Sequence, residues 1–99
     1  MSILHVVNKS PYERNSLDTC AAYVKSGDAV LLIEDGVYAA IKAGAVAGKL
    51  AGLGEVFALG PDLAARSIGE DKVADGIKVV DYAGFVDLVE AKDMVQSWL

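Results

Sequence analysis

Three groups in this chain could do chemistry: the single thiol of Cys20, the single imidazole of His5, and the adjacent carboxylates Glu34 and Asp35. A thiolate can attack a persulfide sulfur and carry it onward, provided its pKa is lowered and water reaches it. Cys20 falls on an apolar stripe with Leu17, Ala21 and Val24. Asp18 nearby disfavours a thiolate, and Lys9, Arg14 and Lys25 oppose that only if the fold brings them close. Free cysteine is also among the most buried residue types. Two readings of Cys20 therefore stand, a packing cysteine and a reactive thiol.

His5 sits in the middle of an apolar run and reads as a core histidine bonded to a neighbouring backbone group. One histidine and one cysteine leave only carboxylates for a metal, and no serine-histidine elbow motif is present. Glu34-Asp35 stands at a strand end beside Gly36. Either the pair faces a ligand or partner, or Asp35 caps the following helix and Glu34 is solvated. Asp62 and Asp81 recur in the same position relative to their elements, which favours capping for all three. No glycine-rich dinucleotide or phosphate loop occurs; Gly48-Lys49 is followed by Leu50. No cofactor and no metal are expected.

The elements that must position these groups alternate. Ile3 to Val7, Ala29 to Ile33 and Glu55 to Leu59 are apolar runs of the kind buried on both faces of a parallel sheet. Ile77 to Val80 is a fourth strand, and Met94 to Leu99 a fifth that closes the sheet. Ser10 with Glu13 has capping-box spacing around Pro11, and Asn15 with Asp18 offers a second start for the helix that carries Cys20. Ser26-Gly27-Asp28 ends that helix. Glu34-Asp35-Gly36 reads as a turn before a helix from Val37 to Lys42. Gly60-Pro61-Asp62 opens a short helix to Ile68, and Gly69 to Gly76 is a polar connection. Asp81 caps a helix from Tyr82 to Lys92 whose stripe is Phe85, Leu88, Val89 and Lys92. The Ala/Gly-rich stretch 43–54 reads either as a close-packing helix or as a loose connection. The alternation implies right-handed crossovers and one α/β domain over residues 1–99, with a mostly parallel sheet and helices on both faces. In such a sheet ligands gather beyond the carboxyl ends of the strands.

Composition narrows the partners. The net charge is −5, and the nine basic residues are scattered singly, which argues against direct binding of nucleic acid or an anionic membrane. No stretch is apolar enough to span a bilayer, and Met1 to Val7 carries no cleavage pattern. With a single cysteine, the expected compartment is the reducing cytoplasm. Hydrophobic residues make up 54% of only 99, so part of that surface is expected to be buried against a partner.

Five stretches, in order, resemble the DsrH/TusB family of bacterial sulfur-relay subunits. They are Ile3-Leu4-His5-Val6-Val7-Asn8-Lys9-Ser10-Pro11-Tyr12-Glu13, then Leu31 to Ala40, Leu59 to Arg66, Val79 to Leu88, and Val95-Gln96-Ser97-Trp98. The stretch 43–54 departs from the family pattern. The resemblance implies a three-layer DsrE-like fold. It further implies assembly with DsrE/TusD-like and DsrF/TusC-like subunits into a heterohexamer of two copies each, which passes persulfide sulfur to a DsrC/TusE-like carrier. The principal sulfur-carrying cysteine of that assembly belongs to the DsrE/TusD-like subunit. One branch serves tRNA 2-thiouridine synthesis, the other dissimilatory sulfur oxidation. Members of the second carry a cysteine where Asn15-Ser16-Leu17-Asp18-Thr19-Cys20 places one, which makes Cys20 the candidate persulfide carrier of this chain. A mainly structural subunit, a subunit that itself carries sulfur, and a stand-alone ligand-binding homo-oligomer are the three functions to separate.

Overall fold

The computed structural model describes residues 2–12, 15–42, 50 and 53–98. Five strands form one sheet: β1 (Ile3–Val7), β2 (Ala29–Leu32), β3 (Glu55–Leu59), β4 (Ile77–Val80) and β5 (Met94–Trp98). Their order is β4-β3-β2-β1-β5, and every pair is parallel. Among the described residues it is flanked by the α-helices α1 (Ser16–Tyr23), α2 (Gly60–Ala65) and α3 (Tyr82–Ala91). Two 3-10 segments, Glu34–Ala40 and Glu70–Lys72, also occur among the described residues.

The central strands β1, β2 and β3 are buried on both faces, which explains their largely apolar runs. Val30 and Leu32 of β2 pack on one face with Val7, Leu17, Cys20, Val37 and Leu63. Ala29 and Leu31 pack on the other with Leu4, Val6 and Phe57, beneath Phe85 and Leu88 of α3. Each fully buried leucine here contributes about 1.5–3 kcal/mol. The first three crossovers step in one direction across the sheet; the last, through α3, returns to place β5 beside β1. Among the described residues, that reversal puts α3 alone on its face, opposite α1.

Several local expectations need correction. Of the two starts offered for the helix carrying Cys20, the second is the one formed, with Asn15 as N-cap but no side-chain cap bond; Ser10 Oγ instead accepts from the backbone N–H of Tyr12 at 3.2 Å. The Glu34-Asp35-Gly36 turn and the following helix are one 3-10 segment that ends at Ala40. Gly36 is required there because a Cβ would strike the backbone of β1 at the Val7 carbonyl. α2 stops at Ala65, followed by Ser67 at φ 56°, so Ile68 is reached by a turn. The connection before β4 is not wholly polar: Val73 is buried and bridges Ile41. Gly27 adopts φ 92°, as a left-handed stop requires. Asp81 caps α3, accepting from Gly84 N–H at 2.8 Å. Most of 43–54 lies outside the described residues; Leu50 is buried in the core.

Candidate functional site

α1 lays Leu17 and Cys20 onto the sheet, and Cys20 is fully buried there. Burial, followed by the nearby negative charge of Asp28, pushes its thiol up to about 12. The charge that opposes the thiolate is Asp28, beyond the end of α1. Burial and a raised pKa are the reverse of what thiolate chemistry requires. Thiol titration of the native protein with a disulfide reagent is expected to leave Cys20 unmodified, with reaction on unfolding; prompt labelling of the folded chain would show that α1 lifts off the sheet.

Beside Cys20 lies a buried polar network. His5 Nε2 donates to Asp28 Oδ2 at 2.9 Å, and Trp98 Nε1 donates to His5 Nδ1 at 3.0 Å. Indole nitrogen only donates, so Nδ1 is the acceptor and the ring proton sits on Nε2. Asp28 also accepts the backbone N–H of Ile3 at 2.9 Å and of Lys25 at 3.1 Å. Burial alone would raise the Asp28 pKa; the His5 hydrogen bond, the two backbone donors and attraction to His5 outweigh it and hold the carboxyl below the usual aspartate range. His5 is therefore a core histidine, but its partners are side chains rather than backbone. Trp98 stacks on His5 at 6.0 Å and on Tyr23 at 5.5 Å between ring centroids. These residues, with Ile3, Lys25 and Gln96, line an open groove of about 580 Å³. Trp98→Phe removes the donor while keeping a ring, and is expected to cost about 1 kcal/mol, read from urea midpoints; an unchanged midpoint would remove Trp98 from the network.

The carboxyl ends of β2 and β3 hold a second polar group. Glu34, at φ 48°, is clamped by its own N–H donating to Asp62 Oδ2 at 2.6 Å. Arg66 Nε donates to Asp35 Oδ1 at 2.9 Å, and Arg66 Nη1 to the Asp62 carbonyl at 3.2 Å. Of the three acids expected to cap their own helices, only Asp81 does so. Asp62 reaches across to Glu34, and Asp35 pairs with Arg66. These contacts join α2 to the 3-10 segment and occupy the Asp35 carboxylate, while Glu34 is held through its backbone N–H and stays exposed. Among the described residues no cluster of metal-ligating side chains occurs, and no helix is long and apolar enough to cross a membrane.

The sequence brought Cys20, His5 and Glu34-Asp35 forward as separate candidates. The fold gathers Cys20 and His5 around Asp28, and leaves Glu34-Asp35 to a different end of the sheet. Asp28 and Trp98 were the residues missed. The signal for Asp28 was faint: an acid directly before a buried strand, where its side chain turns inward.

Comparison with known proteins is consistent along the chain. The family model described as "DsrH like protein" matches residues 9–95. "Protein TusB" of Pectobacterium parmentieri is 34% identical over 97 residues, covering 97% of this chain and 100% of that protein. "Protein TusB" of Photorhabdus laumondii is 32% identical over the same span. In fold, the chain is similar to the ychN protein of E. coli, with TM-score 0.81 at 18% identity, covering 98% of each chain. It also resembles Tm0979 of Thermotoga maritima, with TM-score 0.62 at 23% identity, covering 92% of this chain and 93% of that one. With a match that runs nearly end to end and relatives covered over their whole length, the chain belongs to the DsrH-like family.

Proposed function

We propose that this chain is a mainly structural or accessory subunit of a cytoplasmic sulfur-relay complex, assembled with DsrE/TusD-like and DsrF/TusC-like siblings into a heterohexamer that hands persulfide sulfur to a DsrC/TusE-like carrier. Family membership supports the complex. The observation that carries the accessory role is the state of Cys20: a fully buried thiol pushed up to about 12 lacks both the ionisation and the access that sulfur transfer demands. The neutral thiol packs in the core and leaves the sulfur chemistry to a sibling. The alternative of a stand-alone ligand-binding domain draws no support from the strand carboxyl ends, where Asp35, Asp62 and Arg66 bond to one another.

Co-expression with the two siblings, followed by light scattering of what co-purifies, tests the complex. A discrete species with two copies of each chain is the expected result; a chain that ignores both siblings would sink the reading. In that complex Cys20→Ala is expected to leave sulfur transfer near wild type and to cost about 1 kcal/mol of stability, as loss of one buried heavy atom does. A sulfur adduct on Cys20 after exposure to a persulfide donor, absent from Cys20→Ala, would make this subunit a carrier.

A further inference from the structure

α3 is more apolar than its place on the sheet explains. Phe85 and Leu88 face the core beneath it, yet no residue of α3 is fully buried. At about 100° per residue, Tyr82, Val86 and Val89 form a second stripe along one flank, next to Phe85. They are 60%, 55% and 39% exposed, and Val95 of β5 is 44% exposed. Val95 pairs in register with Leu4, so it points to the α3 side of the sheet. Five of the seven exposed large hydrophobic residues among the described ones lie between Tyr82 and Val95. A helix apolar over this much of its circumference is built to be buried on two sides, and the sheet covers one.

The rim of this stripe is acidic. Glu90 and Asp87 follow it around α3, both exposed and without an ion-pair partner among the described residues. The nearest cation in sequence, Lys92, spends its ammonium on the Gly27 carbonyl at 2.9 Å. Lys78, on the same sheet face, lies over the Phe57 ring at 5.9 Å. A second copy offering this same flank would present the same acidic rim and no cation to Asp87 and Glu90. Like charges set against one another at an interface are a means of refusing a partner.

We infer that the flank of α3 formed by Tyr82, Val86 and Val89, with Val95, docks a different protein chain, one presenting an apolar ridge edged by lysine or arginine. Resting on the sulfur-relay reading, that chain is one of the two siblings. The apolar stripe supplies the buried centre of the contact, and Asp87 with Glu90 supplies the charged rim.

The test uses the full chain co-expressed with both siblings. Val86→Asp/Val89→Asp places charge at the centre of the stripe, at exposed positions the core does not need. Asp87→Lys/Glu90→Lys reverses the rim and leaves the stripe intact. The first variant is expected to keep the wild-type circular dichroism spectrum and to retain a sibling at least about tenfold less well. The second is expected to weaken retention with the stripe still present, and wild-type retention to fall with added salt. Wild-type retention by a folded Val86→Asp/Val89→Asp chain overturns this surface and leaves the complex reading intact. Failure of the wild-type chain itself to retain either sibling overturns both. A homodimer of the isolated chain that Val86→Asp/Val89→Asp abolishes overturns the hetero-partner in favour of a second copy.

Discussion

Asp28→Ala is expected to destabilise the fold by about 3–5 kcal/mol, a large share of what a domain of this size possesses. One carboxylate accepts from His5 Nε2, Ile3 N–H and Lys25 N–H. Alanine would leave three buried or half-buried donors without a partner, each costing about 1–3 kcal/mol when water cannot reach it. The thermal midpoint should fall by on the order of 20 °C. Asp28→Asn keeps one acceptor oxygen and should cost less. The same carboxylate sets the acid response. Its pKa is held below the unfolded value, so its stabilisation is complete above the ordinary aspartate pKa of about 3.9 and is lost as pH falls through the folded value. Exposed Asp93, held low by the backbone N–H of Ser2, acts in the same direction. Urea midpoints of wild type and Asp28→Asn at pH 7, 4 and 3 should converge as acid is added. Parallel loss in both proteins, or an Asp28→Ala chain within about 1 kcal/mol of wild type, would show that the network does not hold the amino ends of β1 and β2 together.

Gly36→Ala should be nearly as damaging for a different reason. The added methyl would collide with the carbonyl oxygen of Val7 and stand 2.9 Å from its carbon. That oxygen already accepts the N–H of Ile33 at 3.0 Å, so β1 cannot retreat without losing a buried hydrogen bond. Overpacking against a flexible side chain costs about 1–3 kcal/mol; against backbone in the middle of a parallel sheet the cost should reach the top of that range or beyond. Gly27→Ala is the instructive contrast, since there the methyl meets nothing and only the φ of 92° resists it. The ratio of the two losses in chemical denaturation separates crowding from backbone strain. Equal losses would mean that the 3-10 segment moves aside and that its approach to β1 is not obligatory.

The strands were legible because a parallel sheet covered on both faces demands near-continuous apolar residues, and Ile3 to Val7, Ala29 to Leu32 and Val56 to Leu59 supply them, with His5 the one polar residue among them. Gly36 was legible as a glycine but not as to its purpose. A turn and a close approach both call for the same residue, and sequence does not separate them. Val89 was assigned to the core stripe of α3 by its spacing from Phe85 and Leu88. Its actual exposure depends on how α3 sits on the sheet, which helical period does not fix. The site network was the least legible part. His5 meets Asp28 across 23 residues and Trp98 across 93. The first contact forms only when β1 is flanked by β2, the second only when it is flanked by β5.

That last pairing has a kinetic meaning. Ile3 pairs with Met94 and Val7 with Trp98, while the other strands join partners much nearer in sequence. Closing so long a span is the slow step in building a sheet of this topology, and folding in the range of milliseconds to seconds follows. The only tryptophan of the chain sits on β5, stacked against His5 of the strand it must find. Its fluorescence is therefore a built-in clock for the longest-range contact in the molecule, started when refolding begins and stopped when the two strands meet.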